Sequence, residues 1–295
     1  MADLTALLQQ HANIPAFWDF FSDVIGSLGW WIGLQLALIV GGTRFGLRLA
    51  WVFLLAALSN SVLKWLWAEP RPYWHSDTIN GLRATPGFGM PSGHAQVATA
   101  FWCGLAWLIG DRRFWVIAVL IVFFTGLSRV YYGVHSPAQV LLGWGIGAAL
   151  TLLVLWKLPR IEAFFGRQSY AGQVGYGFAI WLLAATIMLS VYLLRADFAA
   201  PADWVARFAA AQARFGESFS GPGQMRLVEA STLLLLLPIL GYGALALVCG
   251  RRGHYHAPTG AAKLLAFGIA LAINVAAVTV SVSYTHLTLP TIYSV

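Results

Sequence analysis

Lys64, Arg71, Ser92, Gly93, His94, Arg129 and His135 are the residues of this chain whose types and spacing could do chemistry. They fall in three short clusters, Lys64-x6-Arg71-Pro72, Pro91-Ser92-Gly93-His94 and Ser128-Arg129-x5-His135, each lying where an apolar run ends or begins. Three fixed cations and two imidazoles suit phosphoryl transfer. In that reaction charge spreads over the equatorial oxygens of phosphorus, so positioned cations and N–H donors supply most of the stabilisation. One histidine can attack phosphorus while the other protonates the leaving oxygen and later activates water. Ser92 and Gly93, at the expected start of a helix, would add a hydroxyl and backbone N–H groups aimed at an anion.

The elements that must position these residues are membrane helices. Of 295 residues 59% are hydrophobic and only 10% charged, and mean hydropathy is +0.71, which lies outside the range of soluble domains. A bilayer core about 30 Å thick needs roughly 20 apolar residues per spanning helix. The sequence predicts an all-α, polytopic transmembrane bundle of about eight spans: 24–42, 47–67, 92–109, 114–132, 137–158, 175–194, 230–250 and 263–280. Residues 1–23 read as an interfacial helix in two pieces split at Pro15, residues 24–158 as the catalytic bundle and residues 159–281 as accessory helices. The first region lacks the basic start of a cleavable signal peptide.

A formal charge of +7 could point to nucleic acid, but the basic residues sit in short loops between spans rather than on one face. If the spans alternate, Arg44, Arg48, Arg112, Arg113, Lys157, Arg160, Arg167, Arg251, Arg252 and Lys263 share one side, which the positive-inside rule assigns to the cytoplasm. The same parity brings Lys64, Arg71, His94, Arg129 and His135 together on the other side.

In these three motifs the chain resembles the type 2 phosphatidic acid phosphatase superfamily, over roughly residues 47–158. The resemblance implies a helical bundle with an extracytoplasmic site and no metal or other cofactor. It implies His135 as the nucleophile that forms a phosphohistidine and His94 as general acid and base. Lys64, Arg71, Ser92, Gly93 and Arg129 would form the phosphate cradle. The family commonly places an aspartate four residues after the nucleophile, whereas this chain has Gln139. A glutamine oxygen can accept the ring N–H and fix the tautomer, but it cannot offset the positive charge that develops on the ring. Reduced turnover is therefore expected, with Gln139→Asp raising it.

The function expected is metal-independent hydrolysis of a lipid phosphate monoester or pyrophosphate, at the periplasmic face of a bacterial-type inner membrane. The bilayer and the lipid substrate are the partners; nucleic acid is not. The alternatives are a catalytically weakened lipid-phosphate-binding protein and a lipid phosphotransferase. The Pro- and Gly-rich loop 69–90 reads as an irregular cover over the site, and 195–229, with Trp204, Phe208 and Phe215 at helical spacing, as an amphipathic helix at the interface. Cys103 and Cys249 read as buried structural thiols, His75 as a solvated loop residue, and His254 with His256 as lacking the third ligand a metal would need. Residues 282–295 resemble the translation of a sequencing-adapter DNA and are expected to carry no evolved structure.

Overall fold

Backbone polar groups inside a bilayer must be satisfied within the segment, and helices do this at every step of the chain. The computed structural model describes residues 2–85, 87–195 and 197–215, which form helices and the loops between them, with no strand among them. A short α1 (Ala2–His11) is followed by a break at residues 12–14. Then α2 (Pro15–Asp19), a π-helical stretch (Phe20–Leu28) and α3 (Gly29–Ile39) run on as one rod. Next come α4 (Thr43–Trp67) and the one-turn α5 (Pro72–His75). A second continuous rod joins α6 (Gly93–Ala98), a π-helical stretch (Thr99–Cys103) and α7 (Gly104–Ile109). Then follow α8 (Arg112–Tyr131), α9 (Pro137–Arg167), α10 (Tyr170–Leu194) and α11 (Ala202–Phe215).

Five of these helices are long and apolar enough to cross a membrane, and the rod of residues 93–109 is a further, shorter helix between them. All six expected spans within the described residues are helical; those at 230–250 and 263–280 lie outside them, as do Cys249, His254, His256 and residues 282–295. The chain is a multi-pass membrane bundle. The first span begins earlier than its apolar run suggests. The N-terminal helix does break before Pro15, yet its second piece continues into the bilayer segment, and this draws Asp19, Ser22 and Asp23 into the bundle.

Two glycines decide how closely α9 approaches the helix that carries His94. A Cβ on Gly143 would stand 2.7 Å from the Ser92 carbonyl oxygen, and one on Gly147 would stand 2.5 Å from that of Gln96. This four-residue spacing of small residues is a common device for close contact between membrane helices. Beside it a buried polar network replaces apolar packing. Gln96 Nε2 donates to Ala56 O and Ser59 Oγ, while Asn60 Nδ2 donates to Gln96 Oε1 at 3.0 Å and to Pro91 O at 3.3 Å. The network ties α4 to the start of α6 just below the expected phosphate cradle.

At the same end an aromatic layer closes the bundle, with Trp18, Trp65, Trp74, Phe88, Tyr131 and Tyr132 buried in one cluster. The α11 helix joins it rather than lying free at the interface. Phe208 is fully buried with its ring centroid 6.1 Å from that of Trp74, and Arg207 pairs with Asp77. Helical spacing of aromatics fits a protein groove as well as a lipid surface, and here the groove on α5 takes Trp204 and Phe208.

Candidate active site

Lys64 and Arg129 sit near the C-terminal ends of α4 and α8, and Gly93 and Pro137 open α6 and α9, so one end of the bundle gathers every motif. Arg71 enters this end from the loop, as the residue before α5. Lys64, Arg71, Arg129 and His135 are 7%, 2%, 3% and 2% exposed, a depth at which charge is retained only for a purpose.

The loop 69–90 supplies carbonyls to the cations. Lys64 Nζ donates to Phe88 O, and Arg71 Nε donates to Gly87 O at 2.8 Å. Arg71 Nη1 donates to Val134 O at 3.0 Å and lies 3.0 Å from His135 Nε2. Arg129 donates through Nη1 to Ser22 Oγ at 2.7 Å, and its buried Nε has no hydrogen-bond partner among the described residues.

The His135 ring is oriented by two acceptors. Its Nδ1 lies 2.7 Å from Gly89 O and 3.2 Å from Gln139 Oε1. Neither oxygen can donate, so Nδ1 must carry the proton and Nε2 keeps its lone pair towards Arg71. Burial first, then the charges of Arg71, Lys64, Arg129 and His94, hold this imidazole well below its ordinary pKa, which favours the neutral ring a nucleophile requires. These charges are felt at one ring because their bearers meet around it. Gly89 allows the contact: a Cβ there would stand 2.6 Å from both Gln139 Nε2 and Pro70 O.

His94 is half-buried on the other side of the cluster, against the first span. Its ring centroid is 5.5 Å from that of Trp30, and a Cβ on Gly26 would approach its Cδ2 at 3.6 Å. Ser92 caps its helix by accepting from Ala95 N–H at 3.5 Å, which leaves its hydroxyl proton to donate. Its own N–H, expected to face the anion, instead donates to the Gln139 carbonyl at 3.0 Å. His75 is exposed and Cys103 half-buried.

The motifs do not include a second layer around these groups. Arg83 binds both carboxylate oxygens of Asp23 at 2.7 Å, pairs with Asp19 and lies 4.2 Å from the Tyr132 ring centre. Burial works against the Arg83 charge, but the hydrogen bonds to Asp23 and the charges of Asp23 and Asp19 outweigh it and hold its pKa above the ordinary value. Asp19, Ser22 and Asp23 were detectable only as polar residues on a helix that continues into an apolar run. Among the described residues no three His, Cys, Asp or Glu side chains are grouped to hold a metal ion.

Phosphatidylglycerophosphatase B of Bacillus subtilis (strain 168) is 31% identical over 147 residues, 44% of this chain and 70% of that protein. The PAP2 superfamily model matches residues 45–163, which hold every cation and imidazole of the three motifs. The chain belongs to the PAP2 superfamily. Other PAP2 relatives match over less of their length. Undecaprenyl-diphosphatase of Sulfolobus acidocaldarius is 31% identical over 42% of this chain and 61% of its own length. Glucose-6-phosphatase 3 of Mus musculus is 29% identical over 48% of each. The chain thus spans between about half and three fifths of the length of these two relatives. No solved structure matches.

Proposed function

We propose that this PAP2 protein hydrolyses a lipid phosphate monoester or pyrophosphate through a phosphohistidine on His135. The observation that carries the reading is the setting of the His135 ring: Gly89 O and Gln139 Oε1 face Nδ1, and Arg71 Nη1 stands beside Nε2 at 3.0 Å, an arrangement that calls for the proton on Nδ1 and the lone pair on Nε2. In the first step Nε2 forms a bond to phosphorus as the bond to the leaving oxygen breaks, and His94 gives that oxygen its proton. Arg71, Lys64, Arg129, the Ser92 hydroxyl and the Gly93 N–H bear the charge on the equatorial oxygens. In the second step His94 takes a proton from water, the oxygen attacks phosphorus, and the bond to Nε2 breaks to release inorganic phosphate.

A lipid leaving group is supported by what flanks His94. Gly26 and Trp30 lie on the first span, whose Val24, Leu28 and Trp31 are exposed along the surface that would meet lipid. The relatives named for undecaprenyl diphosphate and phosphatidylglycerophosphate agree with this. The relative named for glucose 6-phosphate favours a second reading, a water-soluble sugar phosphate. An extracytoplasmic site in a bacterial-type inner membrane is supported by the opposite end of the bundle, which carries Arg44, Arg48, Arg112, Arg113, Lys157, Arg160 and Arg167.

Purified protein given undecaprenyl diphosphate, phosphatidylglycerophosphate or glucose 6-phosphate, with His135→Ala as control, tests the proposal. Free phosphate from a lipid, lost in the control, is the expected result. Phosphate from the sugar alone moves the substrate class, a new phospholipid indicates transfer, and equal release by the control contradicts the mechanism.

A further inference from the structure

Glu69 is one of the unspecified x6 positions of the first motif, yet its side chain reaches the back of the His135 ring through one intermediary. Gln139 Nε2 donates to Glu69 Oε1 at 3.1 Å and to Pro70 O at 3.1 Å. The other end of the same amide accepts from Ser136 N–H at 3.1 Å and faces His135 Nδ1 at 3.2 Å. These neighbours fix which end of the amide is which, since Ser136 N–H can only donate and Pro70 O can only accept. The segment itself is held in place, because Gly89 N–H donates to the Glu69 carbonyl at 2.7 Å while Gly89 O faces His135 Nδ1.

We propose that Glu69 is a positioning residue for His135, its negative charge acting through the Gln139 amide to offset the charge that builds on the ring. The inference rests on His135 being the nucleophile. The other charged groups that face this ring, Lys64, Arg71, Arg129 and His94, are cationic or become so, and all of them oppose an imidazolium. A neutral glutamine cannot counter them alone. A carboxylate on the N–H end of an amide polarises it and raises the negative charge on the oxygen at the other end. The charge of Glu69 is thereby relayed to the Nδ1–H across two hydrogen bonds. No proton moves: it stays on Nδ1 through attack and release, and Glu69 stays a carboxylate. In this chain the charge of the missing aspartate is supplied from the first motif, two residues before Arg71.

The test compares Glu69→Gln, the exchange Glu69→Gln/Gln139→Glu, and His135→Ala as purified full-length protein, with the lipid phosphate found to be turned over. Glu69→Gln is expected to lower kcat about tenfold with KM within about twofold, and to move the acid limb of kcat/KM to lower pH by roughly half a unit. The exchange variant, which puts the charge directly on the ring contact and an amide behind it, is expected to recover most of the lost turnover and to return the limb. Wild-type kcat in Glu69→Gln overturns the proposal, as does a loss with an unmoved limb that the exchange fails to repair, since that is the mark of a structural contact. Turnover that survives His135→Ala overturns the nucleophile assignment itself. An inactive His135→Ala alongside a fully active Glu69→Gln removes Glu69 alone.

Discussion

Arg71 Nη1 stands 3.0 Å from His135 Nε2, while its Nε and the same Nη1 are held by the carbonyls of Gly87 and Val134. The guanidinium is therefore fixed beside the attacking nitrogen by backbone on two sides, before any phosphate is considered. A lysine keeps the charge but has neither the planar fork nor the reach to serve two carbonyls and an anion. Arg71→Lys should lower kcat/KM by about 10²–10³-fold, the usual effect of removing one transition-state donor. Phosphate-release kinetics beside a thermal melt would check this; activity within tenfold of wild type would show that charge alone suffices.

The two acceptors on Nδ1 predict a single neutral tautomer for His135. Because burial and the surrounding cations depress its pKa, the ring stays neutral below pH 6.5, where an ordinary imidazole has become half charged. Any stability linked to this group has the same sign: it is present above the unfolded pKa and is lost as pH falls. Nitrogen-15 spectra of histidine-labelled protein, assigned by comparison with His135→Ala, should show the Nδ1–H form persisting at pH 6. An Nε2–H form would contradict the ring orientation, and protonation near pH 6.5 would contradict the lowering of its pKa by burial and the surrounding cations.

Gln139 changes one expectation that the sequence invites. An aspartate at this position looks like a gain of the family's usual charge, but the Gln139 amide also donates to Glu69 and Pro70 O and accepts from Ser136 N–H. Gln139→Asp would remove both donations and set a second carboxylate near Glu69. Turnover is expected to fall several-fold, and a rate above wild type would show that direct charge outweighs these contacts.

What could be read from residues alone follows from where chemistry meets the ends of apolar runs. Lys64, Arg71, His94, Arg129 and His135 are polar groups at span ends, and parity alone sends them to one face. Contacts across the fold were hidden. Glu69 and Gln139 are 70 residues apart, and neither pattern nor propensity pairs them. Asp19, Ser22 and Asp23 read as part of an interfacial helix because their polarity precedes the apolar run, whereas Arg83 and Arg129 draw them inward. For α11, the stripe of Trp204 and Phe208 gives the right helix, but only packing distinguishes the Trp74 groove from a lipid surface.

The approach of α9 to α6 rests on absent side chains at Gly143 and Gly147. Gly147→Val would press on Gln96 O, a backbone neighbour that cannot rotate away, and on the Thr99 Cβ. The overpacking should cost about 1–3 kcal/mol. Thermal unfolding in detergent should show a lower midpoint for this variant but an unchanged one for Gly145→Val, where a Cβ meets nothing within 4 Å among the described residues. Equal midpoints would mean that the two helices do not pack so closely.

The central claim is a covalent bond between phosphorus and His135 Nε2. Rapid acid-free quenching of the protein during turnover of a phosphorus-32-labelled lipid phosphate, followed by peptide mapping, tests it directly. The account predicts an acid-labile, base-stable label on the peptide containing His135, absent in His135→Ala. Label on another residue, or steady turnover in the His135→Ala protein, would contradict it.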